Sequence, residues 1–285
     1  MVTDYKEYCE IDNVEIYIKK IREIYNEWLA SYNQLSVFFR GQTDDFDLLP
    51  SVLREKDNRQ YNERLIVTYF NSLYKNYSTE RFTKKPELFS YMQHYGIPTR
   101  LLDWTENSLM ALFFAIDISE IDSNKNPTVW VLNPSGLNAI FIEEMNGILD
   151  STSPHILARF DMIGYINKDK IIDQFFNIHP QYNYYKDYLE TPLCFYPESS
   201  GNNRIIVQKG IFTIHGTKNI SINALMKIRN REKYLKKLII DKNKIKIIRN
   251  DLRVMGITPR SVYPDLEGLN AEIRELCLLK KEKID

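Results

Sequence analysis

The sequence predicts an α+β protein in which a twisted, mostly antiparallel sheet is flanked by helices at both chain ends. Short runs rich in β-branched or aromatic residues begin at Leu35, Thr128, Arg204 and Ile211 and have the lengths of strands. Stretches with helical periodicity occupy 14–32, 63–77 and 86–95, and further helical patterns close the chain at 251–255 and 266–279.

The first helix is expected over 14–32, where Ile16, Ile18, Ile21, Tyr25, Trp28 and Leu29 share one broad face. A strand over 35–39 delivers Arg40 and Gly41 at its end. Residues 43–50 read as a loop closing on Leu48, Leu49 and Pro50. The second helix, 63–77, carries Leu65, Ile66, Tyr69, Phe70 and Leu73. The third, 86–95, tolerates Pro86 in its first turn. Gly96 ends it, and Pro98 follows at the distance expected of a helix stop.

Thr105 or Asn107 is placed to cap the next helix, 108–118, which is apolar nearly all round and therefore buried. Residues 128–132 form a central strand. The stretch 133–195 is less regular, with weak helices at 139–144 and 170–176, and reads as an insertion. Two strand-like runs, 204–207 and 211–215, are interrupted by a bulge or turn at Lys209 and Gly210. Residues 229–250 mix strand and basic helix signals.

Lys plus Arg is 38, as is Asp plus Glu, so no global positive field gathers nucleic acid or anionic membrane. The three cysteines, Cys9, Cys194 and Cys277, are far apart and imply neither a disulfide framework nor a metal site, as a reducing compartment would favour. The polar N-terminus lacks a signal-peptide core, and the longest apolar stretch, 110–116, is too short for a bilayer. The expected location is the cytoplasm, with no membrane partner. Heavy Ile, Asn, Lys and Tyr usage resembles a low-GC bacterial coding sequence.

No P-loop, G-x-G-x-x-G, H-E-x-x-H, G-x-S-x-G or zinc-spaced Cys/His set is present. These absences argue against a kinase, a Rossmann dehydrogenase, a zinc hydrolase and an α/β-hydrolase. No metal is expected.

Polar chemistry concentrates in three clusters. The densest is the run from Gln93 to Thr105, with His94, Tyr95, Thr99, Arg100 and Asp103 around a Gly/Pro turn. Its bland reading has Asp103 capping a helix and pairing with Arg100, and His94 as a satisfied core histidine. The second cluster is Phe39-Arg40-Gly41-Gln42, where a glycine opens space beside a guanidinium suited to phosphate or carboxylate. The third is 204–216, where alternation sets Arg204, Ile206 and Gln208 on one strand face. There Gln208 either aims its amide into a cleft or is an ordinary edge-strand glutamine.

Together these segments resemble the FRG domain family, named for its Phe-Arg-Gly motif. The resemblance rests on Phe39-Arg40-Gly41-Gln42, on Leu48-Leu49-Pro50-Ser51 with Arg54, and on the 93–105 run continuing into Ala111-Leu112-Phe113-Phe114-Ala115. It extends to 204–215, Met255-Gly256-Ile257 and Tyr263-Pro264-Asp265-Leu266. It implies a single FRG-type domain over 1–285. Within it fall an N-terminal helix at 14–34, core motifs at 35–132 and 200–270, and a variable insertion at 133–199.

The family is similar in one respect to ADP-ribosyltransferases, in which an aromatic-Arg-Gly on an early strand grips the phosphates of NAD. A later Glu, sometimes Gln, stands near the nicotinamide ribose in those enzymes. By that resemblance the sheet is ADP-ribosyltransferase-like and NAD is the substrate. Arg40, His94 and Gln208 are the implied catalytic residues. Arg40, Gly41, Gln42, Gln93, Tyr95, Thr99, Arg100 and Asp103 are the implied binding residues. Arg40 takes the pyrophosphate, His94 or Tyr95 contacts ribose or nicotinamide, and Gln208 steadies the ribose hydroxyls. The chain departs from the transferase pattern in lacking a clear Glu-x-Glu, and Ser151-Thr152-Ser153 falls in a predicted loop.

Two functions follow as expectations. One is an NAD-consuming enzyme, a transferase or glycohydrolase acting as a bacterial toxin or phage-defence effector. It would have a protein or nucleic-acid acceptor and an antitoxin or regulatory partner. The other is a sensing module that binds a nucleotide or phosphate-bearing small molecule without chemistry.

Overall fold

The computed structural model describes residues 8–30, 36–55, 60–117, 126–144, 175–176, 191–196, 203–216 and 218–277. Among them a seven-stranded sheet has the order β1-β7-β4-β2-β3-β6-β5. Its strands are β1 (Tyr8–Ile11), β2 (Phe38–Gln42), β3 (Leu101–Thr105), β4 (Thr128–Leu132), β5 (Leu193–Phe195), β6 (Gly210–Ile214) and β7 (Leu235–Ile240). Every pairing is antiparallel except that of the edge strand β1 with β7. The α+β architecture expected from the sequence is therefore the one observed.

The helices are α1 (Val14–Leu29), α2 (Glu63–Leu73), α3 (Lys85–His94), α4 (Ser108–Ala115), α5 (Pro134–Glu144), α6 (Asn203–Val207), α7 (Ile222–Ile228), α8 (Ile245–Val254), α9 (Pro259–Val262) and α10 (Leu266–Leu276). Asn13 caps α1, its Oδ1 accepting from the Ile16 amide at 2.8 Å. The buried stripe of α1 is Val14, Tyr17, Ile24 and Trp28, while Tyr25 and Leu29 face outward. The expected face is thus rotated, because the 3-7-4 spacing from Val14 to Trp28 follows the helical period more closely.

Strand alternation sorts the core. On one sheet face, Phe39, Val129, Val131, Leu238 and Ile240 pack with α1, α4 and α8. On the same face, Leu101, Phe212, Ile214, Leu193 and Phe195 pack with Leu88, Phe89 and Met92 of α3. The opposite face buries Phe38, Leu102, Trp104, Trp130 and Leu132 beneath α5 and α7. Two helical layers thus share one face, and β3 runs along the line between them.

Two elements differ from the sequence reading. The run 101–105, read as part of a turn, is the strand β3 in the interior of the sheet. The run 204–207, read as a strand, is the short helix α6. The Gln208 amide donates to the Arg204 carbonyl at 2.9 Å, and Lys209 closes the turn with φ 47°. Ile206 and Val207 stay exposed, and only Ile205 packs against the core. A helical turn lets Arg204 reach the acidic start of α10, so tertiary contacts override the β-branched composition. Ser151, Thr152 and Ser153 lie outside the described residues, as does all but the last part of the predicted helix 170–176.

Three described segments from the stretch read as an insertion belong to the core: α5, Phe175 with Phe176, and β5. The side chain of Asn138 in α5 accepts from the Cys194 amide at 2.8 Å and donates to its carbonyl at 3.3 Å, pinning β5 to the helix.

Candidate functional site

Strand β2 places its residues through a continuous ladder with β4, from Phe38 opposite Leu132 to Gln42 opposite Thr128. Its pairing with β3 on the other side has a single register point, Phe39 opposite Thr105. Beyond it the two strands part. Into that fork reaches Arg40, whose Nη1 donates to the Asp103 carbonyl oxygen at 2.7 Å. The guanidinium takes up an acceptor that a longer ladder would have used.

Gly41 explains why the strand can stand there. A Cβ at this position would lie 1.9 Å from the Ala111 carbonyl oxygen and 2.5 Å from the Ala115 nitrogen. The glycine therefore serves the close approach of α4 to β2, not free space beside Arg40 as the sequence suggested. Gln42 is buried and locked, its Oε1 accepting from the Trp130 indole at 2.9 Å, while its Nε2 has no hydrogen-bond partner among the described residues.

The Arg40 side chain is half-buried, and its Nε is buried without a hydrogen-bond partner among the described residues. Burial pulls its pKa down to about 10; the Asp103 charge opposes this, and the Arg54 charge adds to it. Arg54 is likewise lowered, first by burial, with Asp103 opposing. Its Nε donates to the Leu49 carbonyl at 2.8 Å. Two guanidiniums thus share the field of one carboxylate, leaving a local excess of positive charge. Such a site favours a bound anion.

Asp103 is exposed although β3 is an interior strand, because it faces the gap between the two helical layers. Its Oδ2 accepts from the Gln93 amide at 2.7 Å, and Gln93 Oε1 accepts from the Thr99 hydroxyl at 2.6 Å. Thr99 is fully buried and also accepts from the Leu101 amide. Arg40, Asp103, Gln93 and Thr99 therefore form one connected network. Two roles proposed by the bland sequence reading go elsewhere. The cap of α4 is Asn107, which accepts from the Leu109 and Met110 amides. Arg100 pairs with Glu63 of α2, its Nε donating to Oε1 at 2.9 Å and its Nη1 to the Phe175 carbonyl.

His94 is half-buried at the end of α3, edge-on to Tyr95. Its pKa is lowered, first by burial and then by the Arg204 charge, with Asp265 and Glu267 opposing. The imidazole is therefore neutral at pH 7. Arg204 itself is held by Asp265 at 2.6 Å and by Glu267, and lies over the Tyr263 ring. Gln208 sits at the turn after α6. Its Nε2 donates to the Val262 carbonyl at 3.1 Å, and its own carbonyl accepts from the Thr105 hydroxyl at 2.6 Å. Among the described residues, no hydrogen bond joins Arg40, His94 and Gln208 to one another. Asp103 and Thr105, neighbours on one face of β3, link the surroundings of Arg40 and Gln208.

Sequence reasoning did not single out Arg54 or Glu63 as individual contributors. Arg54 stands in the segment quoted for the family, but no periodicity marks its approach to Asp103. His215, next to β6, is another. It is fully buried, and neither ring nitrogen meets hydrogen-bond geometry. Burial drives its pKa down to about 3, with the Leu48 backbone opposing and the Arg100 charge adding.

That depression has a consequence for stability. The unfolded chain takes up a proton on this histidine near pH 6.5, and the folded chain does so only near pH 3. Stability is thus fully present above about pH 6.5 and is lost as pH falls, by about 1.4 kcal/mol per unit from this group. Urea unfolding at pH 7 and pH 5.5 is expected to show a drop that His215→Gln largely removes. An equal drop in both proteins would reject the assignment.

Among the described residues no helix is long and apolar enough to cross a membrane. No curated protein and no solved structure matches the chain. A family model, the FRG domain, matches residues 35–124, a span that holds Arg40, Gly41, Arg54, the 93–103 network and α4, and leaves out Gln208. An FRG domain is thus recognised over residues 35–124 of the chain.

Proposed function

We propose that the chain binds NAD at the fork between β2 and β3 and cleaves its nicotinamide–ribose bond, as a glycohydrolase or an ADP-ribosyltransferase. The observation that carries this reading is the half-buried Arg40, whose buried Nε has no hydrogen-bond partner among the described residues, beside an exposed interior-strand carboxylate. Arg40, with Arg54 near it, takes the pyrophosphate, a forked donor meeting an anion away from bulk water. Asp103 faces the ribose and stabilises positive charge on C1′ as the glycosidic bond breaks, nicotinamide leaving with the bonding pair. Water or a nucleophilic group of an acceptor then forms the new bond to C1′ and loses a proton. His94 or Tyr95 contacts ribose or nicotinamide, and Gln208 steadies the ribose hydroxyls after releasing Val262. The biological setting in this reading is a bacterial cytoplasmic toxin or phage-defence effector, with a protein or nucleic-acid acceptor and an antitoxin or regulatory partner.

One observation favours a second reading, nucleotide sensing without turnover. The Gln208 amide is already engaged by the Val262 carbonyl. Incubation with NAD separates the two. Nicotinamide release is expected from the wild type and should fall about 10- to 100-fold in Arg40→Ala, the worth of a charge-assisted contact. Asp103→Asn should lower the rate while leaving NAD affinity within a few fold. Calorimetric NAD binding that Arg40→Ala removes, without nicotinamide release under any acceptor condition, would leave sensing in place of catalysis. Release unaffected by Arg40→Ala would remove the fork as the site.

A further inference from the structure

Between α2 and α3 lies a cavity of about 560 Å³ whose walls are mainly aromatic, with aliphatic side chains between the rings. Tyr69, Phe70 and Tyr74 line it from α2 and the turn after it, Tyr91 and Tyr95 from α3 and its end, and Pro98 also borders it. The rings are ordered. Phe70 and Tyr74 stack within 6° of parallel at 5.2 Å, and Tyr91 and Tyr95 have centroids 4.8 Å apart. Tyr69 is 67% exposed and Tyr95 62% exposed, so these faces are not used in the core. Among the described residues no charged side chain lines the space. The volume suits a small-molecule ligand, and ring faces without charges select a neutral planar group.

The cavity is joined to the fork by its own wall. Pro98 is followed by Thr99, which donates to Gln93, which holds Asp103 beside Arg40. From Pro98 to Asp103 the chain spans at most ~17 Å, the scale of a nucleotide with its phosphates. We propose that this cavity takes the heteroaromatic ring of the nucleotide whose phosphates lie at Arg40, an inference that rests on the anion site proposed above. Recognition there is by stacking, and the hydrogen-bonded pair of Tyr91 and Ser78 hydroxyls, 2.8 Å apart, supplies the polar edge.

The test titrates adenosine, nicotinamide riboside and inorganic pyrophosphate separately into the full chain by calorimetry. At least one nucleoside is expected to bind the wild type. Tyr69→Ala and Tyr74→Ala should each weaken it about tenfold, leaving pyrophosphate unchanged. Arg40→Ala should do the reverse, and thermal melting confirms that each variant is folded. Pyrophosphate binding that needs Arg40, with no nucleoside bound or with nucleoside affinity unmoved by both tyrosine variants, would overturn the cavity assignment and leave the anion site standing. Nucleoside binding that needs the tyrosines, with no pyrophosphate bound, would keep the cavity and reject the anion site. Binding of neither would remove both.

Discussion

Gly41→Ala is expected to leave no stably folded protein at 37 °C. The added Cβ would sit 1.9 Å from a main-chain carbonyl oxygen and 2.5 Å from a main-chain nitrogen of α4. Neither is the mobile end of a side chain, so relief requires moving the helix. That helix is buried along Met110, Ala111, Leu112, Phe113 and Ala115, and its partners Phe39, Val129 and Val131 lie on the adjacent strands β2 and β4. Displacing it would open contacts throughout one face of the sheet. Overpacking of this kind costs more than the ordinary ~1–3 kcal/mol of an extra methylene, and a loss above about 4 kcal/mol consumes most of a typical domain's stability. Gly96→Ala is the matched control. A Cβ there meets nothing within 4 Å, and the cost comes only from φ of +71°, about 1 kcal/mol. Circular dichroism and urea unfolding should separate the two clearly. Wild-type melting of Gly41→Ala would mean that α4 does not pack on β2 as described.

The Phe-Arg-Gly segment shows what was legible in the sequence and what was not. The strand, its arginine and the buried helix 108–115 could all be read, since each depends on local pattern and composition. The purpose of the glycine could not, because α4 meets it from 70 residues away. β3 was missed because Asp103 interrupts an apolar run and polar neighbours on both sides resemble a loop. Only the fold shows that Asp103 faces a gap between two helical layers. The mistaken strand at Arg204 has the same origin in reverse. Ile205, Ile206 and Val207 favour a strand locally, yet the acidic cap of α10 decides the position of Arg204. The network of Gln93, Thr99 and Asp103 was legible as a cluster but not as a wiring. Sequence proximity suggested Arg100 with Asp103, whereas strand alternation turns them apart and sends Arg100 to Glu63.

Glu63→Ala is expected to destabilise the protein by about 3–5 kcal/mol. The Glu63 and Arg100 side chains are only 13% and 12% exposed, and the guanidinium Nε spans both carboxylate oxygens at 2.9 and 3.1 Å. Removing the carboxylate leaves a largely buried cation with one remaining hydrogen-bond partner among the described residues, the Phe175 carbonyl, and that uncompensated charge is what costs so much. The pair as a whole is worth far less than either deletion implies. Glu63→Leu combined with Arg100→Met should therefore recover most of the loss, and a double-mutant cycle measures the coupling. The position of the pair also makes a functional difference. Arg100 follows Thr99, and its carbonyl accepts from the His215 amide at 3.0 Å, so the pair holds down one end of the segment that carries Gln93's partner. A loosened Arg100 should free Thr99 and Asp103 to move, weakening pyrophosphate binding at Arg40 although neither mutated residue touches the fork. If Glu63→Ala melts within about 0.5 kcal/mol of the wild type, the carboxylate and guanidinium are solvated and the bridge between α2 and β3 is not what secures the site.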